Sequence, residues 1–224
     1  MRERLLRRSP FAIDVGIFTI RNTQLEVLLW KTSDAREKWI LPWDQPRPQE
    51  QLETSGQRIV REAVGIPAPW IELAGAFGEG NRHPADAEIS VAFAAVLPGE
   101  SLQLKDSQLV WHRVNDLPPM TQKRKAVVEA ALSAVRFRLE HSPIAFRLLP
   151  PLFTLSELQK VYEVLLGKRL HKASFRRSLH AAAIVEATEE WRGEGRGRPA
   201  QLFRYAPPKK RRSPRGIRFD ALIA

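Results

Sequence analysis

Two groups of side chains in this sequence have the types and spacing to do chemistry. The first lies in "LPWDQPRPQEQLETSGQRIVREAVGI", Leu41 to Ile66, where Asp44, Glu50 and Glu62 alternate with Arg47 and Arg58. Carboxylates gathered on a short helix and its preceding loop are what a hard divalent cation needs, and arginines beside them suit phosphate oxygens. The second is basic: Lys172, Ser174, Arg176, Arg177 and His180 at helical spacing, then Arg192, Arg196 and Arg198 interleaved with Gly193, Gly195 and Gly197. Arginine and lysine on a helix can reach guanine edges in a major groove. Glycine lets a hairpin backbone approach a phosphate without a Cβ in the way.

The charge distribution separates the two groups. Residues 1 to 141 carry 19 Lys/Arg against 18 Asp/Glu, and residues 142 to 224 carry 17 against 7, so nearly all of the net charge of +11 sits in the C-terminal third. That is the asymmetry of an ordinary globular domain followed by a module that meets a polyanion. The absence of cysteine excludes disulfides, thiolate metal sites and cysteine nucleophiles, and agrees with a reducing, cytoplasmic setting. The five histidines show no metal-ligand spacing, and no serine sits in a nucleophile elbow. The apolar run after the N-terminal arginines is broken by Asp14, Arg21 and Asn22, too soon for a membrane span or a signal peptide.

The elements that must position these residues follow from periodicity. Alternation of β-branched and aromatic residues predicts strands over 12–20, 25–30, 71–77, 89–97 and 109–113. Between them, 52–64 reads as a helix stopped by Gly65 and Pro67, and 122–139 as a second helix. After a proline-punctuated connection, Thr154 and Glu157 form a capping box that opens a helix with Leu155, Leu158, Val161, Tyr162 and Leu165 on one stripe. A helix over about 172–183 then buries Phe175, Leu179 and Ala182, and short strands over 184–188 and 201–205 flank "EEWRGEGRGRPA". Helix, turn, basic helix and glycine-arginine hairpin is the order of a winged helix-turn-helix. The expected fold class is α+β: a mixed-sheet α/β/α domain over 1–141, a winged helix over 142–206 and a basic flexible tail over 207–224.

Leu41-Pro42, Glu50, Arg58, Val60, Glu62, Gly65 and Ile66 together resemble the Nudix box, the loop-helix-loop that holds a divalent metal against a nucleoside diphosphate. Two of its glycines are replaced here by Trp43 and Asp44, and two of its helical glutamates by Ile59 and Ala63. In the family pattern, positions 59, 62 and 63 converge on one Mg²⁺, and only Glu62 of the three is present. The resemblance extends further. "FGEGNRHPADAEISVAF", "EHSPIAFRLLPPLFTLSELQKVYEVLLGKRLHKASFRRSLHAA" and "GRGRPAQLFRY" are similar to the NrtR family of Nudix-related transcriptional regulators, over about residues 10 to 206. Arg82 and Pro84 match an Arg-Asp-Pro element there, whereas His83, Ala85 and Ala87 replace an acid and two arginines.

The resemblance implies a homodimeric repressor of NAD-metabolism genes whose Nudix-like domain binds ADP-ribose or a related adenine nucleotide, without a required cofactor or metal. It makes Glu50, Arg58 and Glu62 remnants of a catalytic motif rather than catalytic residues. From the residues themselves, Arg36, Arg47 and Arg82 are the candidates for a ligand's phosphates and Trp39 or Trp43 for its purine. The alternative is a Nudix pyrophosphohydrolase with a rearranged metal site built on Asp44, Glu50 and Glu62 and localised by the DNA-binding module.

Overall fold

The computed structural model describes residues 10–33, 38–78, 87–99, 102–139, 142–193 and 199–207, and the chain divides into two compact units. The first contains 26–134 with the chain up to Phe18; the second contains 135–224 together with 19–25.

Strands β1 (Phe11–Arg21), β2 (Gln24–Lys31), β3 (Trp39–Ile40), β4 (Trp43–Asp44), β5 (Trp70–Gly78), β6 (Ile89–Leu97) and β7 (Leu109–Arg113) form one sheet, which belongs to the first unit apart from the β1–β2 turn and its flanks at 19–25. Its main path runs β3-β2-β1-β6-β5, with β4 also pairing β1 and β7 also pairing β2. β1 and β6 are central, and both read as nearly continuous buried runs because each face of the sheet is covered. The β1–β2 connection is Asn22-Thr23, both at positive φ, the two-residue geometry that matches strand twist in a hairpin.

The helices α1 (Leu52–Val64) and α2 (Gln122–Leu139) take opposite faces, and the strand period decides which. Ile13, Val15 and Ile17 of β1 point to α1 and form a core with Ile59, Val60, Ala63, Val64, Val91, Phe93 and Leu97. Gly16, between them, points to α2. A Cβ there would stand 2.6 Å from that of Ala131, so glycine is what allows this strand and helix to touch. α1 ends at Gly65, in the left-handed region at φ 83°, with its amide bonded to the Arg61 carbonyl.

In the second unit, a 3₁₀ turn (Pro143–Leu148) precedes α3 (Leu155–Leu166), α4 (Lys172–Ala182), β8 (Val185–Arg192) and β9 (Ala200–Tyr205). The capping box at Thr154 is formed: its hydroxyl accepts from the Glu157 amide at 3.1 Å, and the Glu157 carboxylate accepts from the Thr154 amide at 2.6 Å. Leu158, Tyr162, Leu165, Phe175 and Leu179 make the buried seam of the two helices, and Tyr162 meets Phe175 edge to face at 5.4 Å. Ala182, expected in that seam, is only half-buried. Phe153 bridges Phe203 through two backbone bonds of 3.0 and 2.7 Å, which ties the β8–β9 hairpin to the segment before α3. Arg136, in the last turns of α2, donates to the Leu165 carbonyl at 3.0 Å, satisfying an end group of α3 with a cation at the helix's negative pole.

Candidate functional site

The loop-helix-loop is built around Arg58. Its guanidinium donates to both Glu50 oxygens, at 2.9 and 3.0 Å, to the Gln45 carbonyl at 3.0 Å and to Asp44, and it lies 3.5 Å from Glu62. Glu50 is held further by the Ser55 hydroxyl and the Arg47 amide, each at 2.9 Å. The pair is largely shielded from water, with 11% of each side chain exposed. The Arg58 hydrogen bond, ahead of the opposing cost of burial, pulls the Glu50 pKa down to about 2. Glu50 in turn, with Asp44, raises Arg58 above its ordinary value. Each partner is thereby locked in its charged form.

This cradle bears on the metal that a Nudix box normally holds. Asp44, Glu50 and Glu62, the acids available for a rearranged site, are all ion-paired to Arg58, and Glu62 is paired to Arg47 as well, at 3.3 Å. Ile59 and Ala63 stand where the Nudix pattern has glutamates, and both are packed into the hydrophobic core at 4% and 6% exposure. Among the described residues, no cluster of three or more His, Asp or Glu has the geometry to hold a metal ion. Two guanidinium groups offset two of the three carboxylate charges, and with apolar side chains at 59 and 63 the helix offers Mg²⁺ Glu62 alone, a poor fit to a hard dication.

Of the residues expected to hold a ligand, Arg47 is exposed beside Glu62, and Trp39 is half-buried with its ring 4.5 Å from that of His112, edge to face. Burial lowers the His112 pKa, so its ring meets Trp39 uncharged near neutral pH. Trp43 is tilted against Trp30 at 6.4 Å, and Trp30 is anchored to Gln108 at 3.0 Å. Arg36 and Arg82 lie outside the described residues.

The basic module presents Lys172, Arg176, Arg177 and His180 on the exposed side of α4, opposite buried Phe175 and Leu179. Ser174 is half-buried and accepts from Arg177 at 3.3 Å, which restrains that guanidinium along the helix. Lys172 and Arg176 line an open groove of about 750 Å³ with Lys160, Glu163, Arg169 and His171. Lys160 and Arg169 were missed by sequence reasoning. The signal was present: both are cations close to the α3–α4 turn, off the apolar stripe. That turn is fixed by Glu163, which accepts from the Leu170 amide at 3.0 Å, and by Gln159, which donates to the Leu170 carbonyl at 3.1 Å.

Arg192 differs from the expectation of a wing cation aimed outward. Its guanidinium donates to Glu157 at 2.7 Å and to the Leu152 carbonyl at 3.2 Å, inside the module. Arg196 and Arg198 lie outside the described residues.

An α/β/α sandwich with a loop-helix-loop closed by arginine, on the same chain as a basic winged helix, defines a two-part class of protein that joins a small-ligand type of fold to a module suited to DNA. Comparison with known proteins makes the class specific. Residues 10–132 match the family model for the NUDIX domain, and residues 145–205 match that for the NrtR DNA-binding winged helix domain. An "ADPR responsive transcriptional repressor NtrR" of Acinetobacter baylyi is 29% identical over 211 residues, covering 88% of this chain and 83% of that protein. The crystal structure of Shewanella oneidensis NrtR complexed with a 27mer DNA has a TM-score of 0.76 at 29% identity, covering 89% of this chain and 94% of that one. A MutT/nudix family protein from Enterococcus faecalis, at 19% identity, TM-score 0.70 and coverage of 90% and 89%, shares the fold. The chain belongs to the NrtR family of Nudix-related transcriptional regulators.

Proposed function

We propose that this protein is a repressor of NAD-metabolism genes, binding operator DNA through its winged helix and reading ADP-ribose or a related adenine nucleotide through its Nudix domain. The observation that carries this reading is the arginine-closed acid cluster beside an intact fold. Asp44, Glu50 and Glu62 are paired to Arg58 and Arg47 while Ile59 and Ala63 fill the core, so the domain keeps the loop-helix-loop without the acids that hydrolysis would use. In this reading the domain is not an enzyme. Its sensing part spans 1–141, its DNA-binding part 142–206 and its basic tail 207–224, and the protein acts in the cytoplasm.

On DNA, α4 enters the major groove with Lys172 and Arg176, one helical turn apart, facing base edges, and Arg177 and His180 along its flank. Ser174 steadies Arg177, and Arg196 and Arg198 of the wing take phosphates. A homodimer presents two such helices to a pseudo-palindromic operator, and the nucleotide shifts the balance between arrangements that do and do not match its half-site spacing. Arg47, exchanging its exposed pair with Glu62 for the ligand, meets the effector's phosphates with Arg36 and Arg82, and Trp39 offers a face to its purine.

The test is footprinting on the DNA upstream of the protein's own gene, at stated salt, with and without ADP-ribose, NAD and ATP. Protection that ADP-ribose relieves is the expected outcome. Arg176→Ala costs about 1–3 kcal/mol of binding and relaxes preference at one base position if α4 reads the groove. Unchanged affinity and preference would refute that placement. Robust Mg²⁺-dependent turnover of ADP-ribose by the purified protein would replace the regulator reading with a hydrolase.

A further inference from the structure

Among the described residues, the two strands of the wing are held to the rest of the winged helix in chemically unlike ways. β9 is tied to the segment before α3 by the Phe153–Phe203 backbone bridge and by the Tyr205 ring, which packs on Phe146 at 4.7 Å. β8 is tied by one side chain: Arg192, its last residue, donates to Glu157 of α3 at 2.7 Å and to the Leu152 carbonyl at 3.2 Å. The contacts of β9 secure one strand of the hairpin, and Arg192 secures the far end of the other.

Arg192 needs its own anchor because the ladder behind it is interrupted. Ala187 faces Phe203 and Trp191 faces Gln201, so β8 carries two more residues than β9 across the interval, a bulge. Thr188 patches it, donating its hydroxyl to the Leu202 carbonyl at 2.9 Å and accepting from the Glu190 amide at 3.3 Å. Immediately after Arg192 comes Gly193, where an added Cβ would find nothing within 4 Å, and then the arginine-bearing loop. Glu157 is a shared hub, because its second oxygen caps α3 through the Thr154 amide.

Resting on the reading of this module as a DNA binder, we propose that Arg192 is a positioning residue. By bridging Glu157 and the Leu152 carbonyl it fixes the base of the wing against the start of α3, and it does not itself hold a phosphate. The two roles predict opposite signs for one substitution. Glu157→Gln keeps an oxygen for the capping box, since glutamine serves at that position, but turns an amide N–H group toward Arg192 and, by removing a carboxylate, makes the net charge one unit more positive. If Arg192 were a phosphate ligand restrained by Glu157, releasing it would tighten DNA binding and steepen its salt dependence. If Arg192 positions the wing, the same change weakens binding despite the added charge.

The experiment measures anisotropy of a labelled duplex from the footprinted upstream region, across a KCl series, for full-length wild type, Glu157→Gln, Arg192→Ala and the double variant. The expected result is a roughly 3- to 10-fold loss for each single variant, of the size typical of a partly exposed ion pair with added hydrogen bonds. The double variant is no weaker than the poorer single, as for residues acting as one unit. The slope of log Kd against log salt stays at the wild-type value, whereas removing a phosphate ligand lowers it by about 1. Thermal melts check folding, and Glu157→Gln supplies the answer if Arg192→Ala melts early. Binding by Glu157→Gln as tight as wild type or tighter, or a slope lowered by about 1 in Arg192→Ala, overturns the proposal. Failure of wild type to bind the duplex overturns the DNA-binding reading and the clamp with it, whereas wild-type binding with an unweakened Glu157→Gln overturns the clamp alone.

Discussion

Replacing Glu50 with glutamine tests the arginine-closed cradle through its pH dependence. The folded carboxyl has a pKa of about 2 against an ordinary value of 4.5. At about 1.4 kcal/mol per tenfold change in acidity, this difference bounds the charge's contribution at about 3 kcal/mol. Little discount for solvent applies, because 11% of each side chain of the pair is exposed. Glutamine still accepts from Ser55, and Arg58 retains Asp44 and Glu62, so the expected loss at pH 6 is about 2–3 kcal/mol.

The sign follows from which state binds the proton first. The depressed folded pKa makes the contribution full above 4.5, and it is lost as pH falls toward 2, because the unfolded chain takes up its proton earlier. By about pH 3 the gap between wild type and Glu50→Gln closes by more than half. Urea titration followed by tryptophan fluorescence reads this directly, since Trp30, Trp39, Trp43, Trp70 and Trp111 precede residue 141 and Trp191→Phe removes the sixth. A gap of the same size at both pH values, or no gap at pH 6, would refute the electrostatic account of the cradle.

Three further outcomes follow from the packing and the backbone. Gly16→Ala places a Cβ 2.6 Å from that of Ala131 and lowers stability by about 1–3 kcal/mol, read as a shift of the urea midpoint. Thr23→Gly relieves a β-branched residue at φ 60° in the β1–β2 turn and raises stability by about 1 kcal/mol, measured by thermal melt. Ile59→Glu puts an acid into a site 4% exposed and costs about 2–5 kcal/mol, while an assay with Mg²⁺ and ADP-ribose detects no gain in hydrolysis.

The elements legible in the sequence were those whose pattern is local and long. α1, α2, β6 and β7 lie where periodicity put them, because apolar spacing and stop residues such as Gly65 act over a few positions. The two-residue strands β3 and β4 were not legible, since two residues carry no period; they exist because Ile40 and Trp43 find partners in β2 and β1. Nor was the stretch 143–148 recognised as a 3₁₀ turn behind its proline. β8 reads in sequence as ending at Thr188, but the bulge carries it on to Arg192. In the site, the Glu50–Arg58 brace was legible from motif spacing. The Arg192–Glu157 pair spans 35 positions, and nothing local in a glycine-arginine run announces that its first arginine turns inward.

The burial of Ile59 and Ala63 also sets the direction in which this protein can change. At the surface, an acid lost from a metal site could return by one substitution at little cost. Here both positions have been absorbed into the packing between α1 and the sheet, so each reintroduced carboxylate first appears as a buried charge beside a cradle whose other acids are already spent. Each such carboxylate costs stability before it can do anything else. The core between α1 and the sheet thus resists acids at positions 59 and 63, whatever the loops around it come to carry.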